Sequence, residues 1–352
     1  MAAPSQPATG AILLIDDRFP TNPILCRVTR GGVVESIHRG AWCVVDSSGT
    51  VLDGAGDLEF PFYARSSIKA LQALPLLETG AAERFGYGED ELALAIASHN
   101  GEAIHTERVG KLLARMNLGE ADLLCGSHLP MDSAVRFALR REQAKPNALH
   151  NNCSGKHAGF LALALHLGAN PAEYLEPDSP GQTLVREAIA SMAGRDADAL
   201  IPGIDGCSAP NYRLPLASLA LAFARLTNPD GLTPERRGNC LRLTAAAAAY
   251  PELVAGSRKR LDTDLMRATG GRLFAKIGAE AIYVIGQRGG DRALALKVDD
   301  GGKRGLDALV FGLLDRLGWL KADEREALAK WCETRLLNHA GLEVGSVEVS
   351  PT

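Results

Sequence analysis

Apolar and polar residues alternate near both ends of this 352-residue chain, whereas apolar residues recur at helical spacing in the middle. Alternation puts every second side chain on one face of a strand. It predicts strands over 23–29, 33–46 and 50–52, joined by tight Gly and Ser turns. It predicts further strands over 281–287 and 292–298, and an edge strand over 341–349.

Spacings of i, i+3 and i+4 predict helices through the centre of the chain and after the second strand pair. The predicted helices cover 66–80, 89–117, 132–141, 156–168, 179–194, 216–227, 234–249, 305–318 and 322–335. This order indicates an α+β fold, with one antiparallel sheet built from both chain ends, flanking helices and an inserted helical lobe at about 89–260. We expect residues 1–20 to be an N-terminal extension and residues 21–352 to be a single domain.

The composition is that of a globular protein, with 46% hydrophobic and 23% charged residues. It excludes a disordered, collagen-like or disulfide-stapled chain. The net charge of −4 gives no basic field for nucleic acid or anionic membranes, and no apolar run is long enough for a membrane span. Seven scattered cysteines without a C-x-x-C pair, and no secretory signal, predict a reducing cytoplasm.

The first candidate motif is Ser66-x-x-Lys69, which begins a predicted helix after an extended segment. A serine hydroxyl is a poor nucleophile, and a desolvated neutral lysine one helical turn away can remove its proton. The helix N-terminus adds free N–H groups for a developing oxyanion. The structural alternative is that Ser66 is only an N-cap.

Two further segments match the order found in active-serine acyl-transfer enzymes. The polar run Ala97–Glu102 (ASHNGE) follows an apolar stretch and contains Ser98, and Lys276-Ile277-Gly278 lies next to the predicted C-terminal strand pair. S-x-x-K, a polar serine motif and K-x-G in this order point to nucleophilic acyl transfer.

Two glycine-bounded loops carry a second group of candidates, Cys153 and Cys207. Two thiolates from separate loops can bind zinc, with His157 or a neutral Lys156 as a further ligand. The structural alternative is a pair of small buried cysteines. Asp205, in the second loop, is either an ordinary loop residue or a partner for the ammonium of an amino-acid substrate.

Together these segments identify a family resemblance that spans residues 30 to about 290. The chain resembles the bacterial asparaginase II family, the rhizobial-type (class 3) L-asparaginases. The matching runs are RGGVVESIHRG at 30–40, ARSSIK at 64–69, ASHNGE at 97–102, NNCSGKHAG at 151–159, DGC at 205–207 and KIG at 276–278.

The resemblance implies a fold similar to serine β-lactamases and serine glutaminases, and hydrolysis of L-asparagine to L-aspartate and ammonia. It implies two Ser–Lys pairs, Ser66 with Lys69 and Ser98 with Lys276, in one catalytic domain. The expected substrate-binding residues are Arg65, His99, Asn100, Asp205 and Gly206, with Arg65 on the α-carboxylate and Asp205 on the α-ammonium.

The resemblance also implies a zinc ion close to the substrate, held by Cys153, Lys156 and Cys207, and a homodimer. Because a lysine ligand must be deprotonated, such a site should weaken as the pH falls. The chain departs from the family pattern at Asn100, Ala70 and Phe160, where Ser, Pro and Met are usual, and none of these removes a catalytic group.

Several alternatives remain open at this level. Ser98 rather than Ser66 could be the nucleophile. A serine glutaminase or a penicillin-interacting enzyme would share the S-x-x-K and K-x-G motifs. Outside acyl transfer, the alternatives are a non-catalytic protein that binds zinc or an amino acid, and a metal-hydroxide amidohydrolase.

Overall fold

A computed structural model describes residues 19–350, so the predicted N-terminal extension falls outside the described residues up to position 18. The strands are β1 Ile24–Arg30, β2 Val33–Asp46, β3 Val51–Ala55, β4 Phe62–Tyr63, β5 Pro202–Ile204, β6 Pro210–Leu214, β7 Leu273–Gly278, β8 Ile282–Gln287, β9 Arg292–Val298, β10 Arg335–Leu337 and β11 Glu343–Val349. The helices are α1 Lys69–Gln72, α2 Leu74–Glu78, α3 Ala81–Arg84, α4 Glu89–Ala95, α5 Ala103–Arg115, α6 Ser133–Arg141, α7 Ser154–His166, α8 Pro180–Ala193, α9 Leu216–Thr227, α10 Pro234–Ala249, α11 Pro251–Val254, α12 Leu261–Ala268, α13 Leu306–Arg316 and α14 Ala322–Ala327.

Both chain ends contribute to one antiparallel sheet, in the order β10-β11-β1-β2-β9-β8-β7, with β3 paired to β2. The N-terminal strands meet the C-terminal ones at two places, where β1 pairs with β11 and β2 pairs with β9. This arrangement confirms the predicted α+β class. Strand β7 lies at one edge of the sheet, and its Lys276 pairs in register with Val284 of β8.

The alternation along β2 builds a core on each face of this sheet. Ala41, Cys43 and Val45 face a large cluster that includes α9 and the helical segments between β4 and β7. Trp42 and Val44 point the other way, into a smaller cluster with α12 and α13. Because successive side chains of a strand point to opposite faces, one continuous strand serves both cores.

A second, three-stranded sheet, β4-β6-β5, lies at the entry to the segment that carries Ser66. Its strand β6 fixes that segment, because Ala64 donates its N–H to Tyr212 and Arg65 donates its N–H to the Asn211 side chain. Within the part of the chain that the structure describes, no helix has the length and apolar character that crossing a membrane requires.

Several observed elements differ from the prediction. The predicted helix 66–80 is a 3₁₀ turn, Arg65–Ile68, followed by the short helices α1 and α2. The predicted helix 89–117 is two helices, α4 and α5, separated by the polar run that contains Ser98. The predicted helix 322–335 ends at Ala327 and gives way to a turn and strand β10. Lys276 lies inside strand β7 rather than before the strand pair, because the short buried run Leu273–Gly278 carries no alternation to reveal a strand.

Candidate active site

The two candidate serines line one cavity of about 310 Å³. Ser66 enters from the segment before α1, and Ser98 enters from the loop between α4 and α5. The end of β7, at Ile277 and Gly278, forms another wall. Segments far apart in the sequence therefore meet at one opening.

A backbone reversal presents Ser66 to this cavity. Arg65 has a φ of 54°, in the left-handed region, and begins a 3₁₀ turn over Arg65–Ile68 that leads into α1. The turn is fixed by Ser67, whose hydroxyl donates to the Ala64 carbonyl at 2.6 Å. Among the described residues the Ser66 hydroxyl makes no hydrogen bond, so no bond to Lys69 is formed in this structure.

Ser98, by contrast, lies between two lysine side chains. Lys69 and Lys276 each place Nζ 2.9 Å from the Ser98 hydroxyl oxygen. Lys69 also donates to the Ala97 carbonyl at 2.5 Å and contacts the Cys153 thiol at 3.1 Å. The structure thus brings Lys69, Ser98 and Lys276 together as one hydrogen-bonded chain.

Burial makes this hydrogen-bonded series of side chains suitable for proton transfer. Both lysines are only 1% exposed. Burial, together with the nearby Lys69 ammonium, holds the pKa of Lys276 well below its ordinary value. A buried amine beside a second amine favours the neutral form, which can accept a proton from a hydroxyl.

The predicted metal ligands form a buried cluster behind the same site. Cys153 is the N-cap residue of α7, Lys156 lies in the first turn of that helix, and Cys207 lies in the turn between β5 and β6. Lys156 places Nζ 3.3 Å from the Cys207 sulfur. The Cys207 thiol, followed by the Lys69 and Lys156 charges, lowers the pKa of Cys153 well below its ordinary value despite burial.

The chemistry of this cluster fits a thiophilic ion such as zinc. Two buried thiols and a buried amine are present, and the lowered pKa of Cys153 supplies one thiolate. The contact with Cys153, followed by burial, raises the pKa of Cys207. Burial lowers the pKa of Lys156, but Cys207, Cys153 and Asp205 outweigh this effect and leave the pKa raised. These two groups must therefore release protons when a metal binds. His157 adds a buried Nε2 that has no hydrogen-bond partner among the described residues, while its Nδ1 bonds the Tyr174 hydroxyl at 2.6 Å. A cluster of three or more His, Cys, Asp or Glu side chains suited to a metal does not occur in residues 19–350.

Arg65, Asp205 and Gly206 belong to a neighbouring region. Arg65 and Asp205 are ion-paired at 2.6 Å and line a second cavity of about 220 Å³, beside Tyr63 and Asn211. Burial raises the pKa of the Asp205 carboxyl, but the Arg65 guanidinium, the Gly206 N–H and the Lys156 charge together outweigh this effect and leave the pKa below its ordinary value. Gly206 is exposed in the turn that carries Cys207.

His99 and Asn100 are buried beneath Ser98 and do not line the cavity of the two serines. Gly101 donates its N–H to His99 Nδ1, so the proton is on Nε2, which donates to the Ser154 hydroxyl at 2.9 Å. The Asn100 side chain bonds Arg258 and Arg260. Both side chains thus support the loop that carries Ser98.

Sequence motifs gave no indication of several charged residues on the cavity wall, namely Lys259, Arg260, Asp262, Lys303 and Asp307. Arg260 and Asp262 are also buried, which is unusual for charged residues. In the sequence they belong to a run of charged residues, 258–264 (RKRLDTD), that leads into α12. Their partners are remote in the chain, so the sequence alone could not indicate a role.

Comparison with known structures finds low-identity likenesses. A structure of Mglu matches with a TM-score of 0.42 and 14% identity, covering 80% of this chain and 67% of that one. A β-lactamase from Mycobacterium bovis matches with a TM-score of 0.37 and 16% identity, covering 83% and 95%. A putative β-lactamase from Bacteroides dorei matches with a TM-score of 0.41 and 15% identity, covering 78% and 93%.

No curated protein matches the chain in sequence. The model of the L-asparaginase II family, however, matches residues 26–349. This range contains every candidate catalytic and metal-binding residue described above. The chain therefore belongs to the L-asparaginase II family, whose members are hydrolases that act on amides.

Proposed function

We propose that the protein hydrolyses L-asparagine to L-aspartate and ammonia through a serine acyl-enzyme. The observation that carries this proposal is the shared cavity of Ser66 and Ser98, in which the Ser98 hydroxyl bonds both Lys69 and Lys276 at 2.9 Å. Family membership supplies the substrate, and this arrangement supplies the chemistry.

Ser66 is the proposed nucleophile because its hydroxyl lies on the cavity wall with no hydrogen-bond partner in residues 19–350, whereas the Ser98 hydroxyl is already held on two sides. Its oxygen attacks the side-chain carbonyl carbon of asparagine. Its proton passes to Lys69 after the Lys69 ammonium has given a proton through Ser98 to the Lys276 amine. The contact from Ser66 to Lys69 would tighten when substrate binds, as catalytic hydrogen bonds often do. The observed bond between Lys69 and Ser98 favours a second assignment, in which Ser98 attacks.

Backbone amides are available for the oxyanion that forms. Ser66 lies in the first turn of a helical segment, where N–H groups lack internal partners. Among the described residues, neither Ser66 nor Ala279, directly after β7, donates its N–H to a hydrogen bond. Both residues line the cavity, so these two amides are our candidates for stabilising the negative charge.

The Ser98 hydroxyl then serves as a relay for the leaving group. The C–N bond of the substrate breaks, and the departing nitrogen takes a proton that Lys69 received from Ser66, passed through Ser98 with Lys276 on its far side. Water subsequently cleaves the β-aspartyl ester, returning the proton to Ser66. The net reaction consumes one water molecule and releases aspartate and ammonia.

Zinc is proposed as a resident ion at Cys153, Lys156 and Cys207. When bound, it would supply positive charge beside the substrate and thereby orient it. The residues of the chain determine whether it binds, because Lys156 must give up its proton and leave its contact with the Cys207 sulfur. The bond from Lys69 to Cys153 joins this cluster directly to the catalytic chain.

Arg65 and Asp205 remain our candidates for the α-carboxylate and α-ammonium of asparagine. They already form an ion pair at 2.6 Å. A zwitterionic amino acid could replace it with two ion pairs, one between its α-carboxylate and Arg65 and one between its α-ammonium and Asp205. We also propose a cytoplasmic location, which seven free cysteines in the described residues support, and a homodimer, as the family resemblance implies.

The direct test is ammonia release from L-asparagine and L-glutamine by the wild-type protein and by Ser66→Ala. Ser127→Ala is the control, since Ser127 is exposed and does not line the cavity of the two serines. We expect asparagine turnover that is lost in Ser66→Ala and largely kept in Ser127→Ala. Mass spectrometry of the trapped ester on Ser66→Ala and Ser98→Ala identifies the nucleophile, and an adduct that persists in Ser66→Ala contradicts our assignment.

Other outcomes separate the competing functions. Ammonia from glutamine alone indicates a glutaminase, and acylation of Ser66 by a labelled penicillin indicates a penicillin-interacting enzyme. Turnover that needs zinc but survives Ser66→Ala indicates a metal-hydroxide amidohydrolase. Absence of turnover with intact ligand binding indicates a binding protein.

A further inference from the structure

We propose that Arg260 and Asp262 are a positioning pair that fixes the Ser98 hydroxyl against the Lys276 amine. The inference rests on the proposed function, because it assigns a purpose to that contact. The contact joins two segments 178 residues apart, so some part of the fold must determine their separation. The short stretch from Arg260 to Asp262 contacts both of them.

Arg260 holds the first segment, the loop that carries Ser98. It is 9% exposed, and its Nη1 lies 2.7 Å from the Ser98 carbonyl oxygen, 3.0 Å from the Ala255 carbonyl oxygen and 3.1 Å from Asn100 Oδ1. The N–H of Ser98 is held as well, because it donates to the carbonyl oxygen of Val254, at the end of α11, at 2.8 Å. The backbone of Ser98 is therefore held on both sides.

Asp262 holds the second segment, strand β7. It is 1% exposed, and its Oδ1 accepts the Ile277 N–H at 2.6 Å. Because β7 is at the edge of the sheet, this outward amide has no neighbouring strand, and the carboxylate takes the place of one. Ile277 directly follows Lys276, so this bond fixes strand β7 next to the lysine that contacts Ser98.

An ion pair links the two anchors, since Arg260 Nη2 is 3.4 Å from Asp262 Oδ2. A shift of either anchor would therefore change the distance between the Ser98 oxygen and Lys276 Nζ, now 2.9 Å. Hydrogen bonds of this kind weaken steeply with distance and angle. A misplacement of about 1 Å at a catalytic group can reduce the rate by about 10²-fold.

Both residues also line the cavity, which raises the alternative that they bind substrate directly. The structure argues against it. The inner donors of Arg260 are directed at three protein oxygens, and each carboxylate oxygen of Asp262 faces a donor. Positioning and binding also differ in kinetics, because loss of positioning lowers kcat whereas loss of binding raises KM.

The charge of Asp262 gives a second readout at Lys276. The charged and titratable groups that face the Lys276 amine are Lys69, Arg260, Cys153 and Asp262. Of these, Lys69 and Arg260 lower the pKa of Lys276, while Asp262 and Cys153 raise it. Removing the Asp262 charge should therefore move the titration of Lys276 to lower pH.

The experiment compares Asp262→Asn with Glu324→Gln. Glu324 is a matched control because it is also a buried carboxylate that accepts one guanidinium, from Arg272 at 2.6 Å, and one backbone N–H, from Lys321 at 2.8 Å. It does not line the cavity of the two serines. If Asp262→Asn does not fold, Arg260→Lys replaces it, since lysine keeps the charge but lacks the planar fork.

Two measurements are made on each variant. Steady-state ammonia release gives kcat and KM for L-asparagine. A pH titration of protein labelled with ¹³C at lysine Cε follows Lys276 among only ten lysines, with Lys276→Arg assigning its signal. The second measurement needs no turnover, so it still judges the positioning pair if the wild-type protein proves inactive and the proposed function fails.

For Asp262→Asn we expect kcat to fall by about 10²-fold, with KM nearly unchanged and the Lys276 titration displaced to lower pH. Arg260→Lys should show the same fall in kcat, and Glu324→Gln should show neither effect. An unchanged kcat and an unmoved Lys276 signal in Asp262→Asn would overturn the proposal. A raised KM with an unchanged kcat would overturn it in favour of direct substrate binding.

Discussion

Gly155 offers a sharp test of how the metal-ligand cluster is held against the catalytic serine. It is the second residue of α7, between Cys153 and Lys156. A Cβ built there would collide with the carbonyl oxygen of Leu94 in α4, and would lie 2.7 Å from Leu94 Cγ and 3.0 Å from the Leu94 carbonyl carbon. Because two of these atoms are backbone, a side-chain rotation cannot relieve the contact.

The magnitude of the Gly155→Ala effect follows from those distances. To restore an ordinary separation from the Leu94 carbonyl oxygen, the start of α7 must move by about 1 Å. Eleven of the thirteen residues of α7 are buried, so the movement disturbs a packed core. Overpacking typically costs about 1–3 kcal/mol, offset by about 0.5–1 kcal/mol because alanine favours a helix. We expect a net loss of about 1–2 kcal/mol.

Gly110 provides the matched control, since it lies within α5 and a Cβ there would meet no atom within 4 Å. Gly110→Ala should stabilise the protein by about 0.5–1 kcal/mol, so the two substitutions are predicted to have opposite signs. Guanidinium unfolding of both variants measures this difference. Ammonia release should fall by about tenfold or more in Gly155→Ala only, because Cys153 moves away from Lys69.

The reasoning is refuted if Gly155→Ala is as stable as Gly110→Ala and equally active. That result would show that α7 can adjust without transmitting a shift to the site. A stability loss with full activity would refute only the link between the position of Cys153 and turnover.

Three further predictions concern single side chains. Lys69→Met should reduce ammonia release by about 10²–10⁴-fold, since the base is lost, whereas exposed Lys111→Met should not. Burial lowers the pKa of His105 below 6.5, so below about pH 6.5 the unfolded chain binds a proton that the folded chain excludes, and stability is lost as the pH falls. His105→Gln should therefore flatten the fall in urea midpoint between about pH 6.5 and 5, and an unchanged slope would contradict this assignment. Cys207→Ser should lose zinc on dialysis, measured by elemental analysis, while the buried cysteine variant Cys240→Ser retains it; equal zinc contents would exclude Cys207 as a ligand.

Periodicity in the sequence was a reliable guide where an element buries one regular face. The predicted bounds of β2, β9, α9 and α10 agree with those observed. Periodicity failed as a guide where an element does not bury one regular face. Strand β7 is buried on both faces and lacks alternation, and the helical pattern over 89–117 continues through a polar loop whose backbone is held by other segments.

The chemistry shows the same division. Sequence motifs identified Ser66, Lys69, Ser98 and Lys276, and the structure brings the last three into one hydrogen-bonded chain. They did not predict that Lys69 would contact Ser98 rather than Ser66. Spacing of three residues puts Ser66 and Lys69 on one helical face, but the lysine side chain is long, and its buried amine follows the oxygens that other segments provide.

The sequence by itself determined which residues could perform chemistry, because a nucleophile, a base and a thiolate ligand each require particular side chains in short local runs. Tertiary structure alone decided which of these groups meet, which cavity they share, and that Arg260 and Asp262 join Ser98 to Lys276. The physical reason is that local periodicity reports only which face of an element is buried. Contacts between segments 178 residues apart depend on how those faces pack, and no local pattern contains that information.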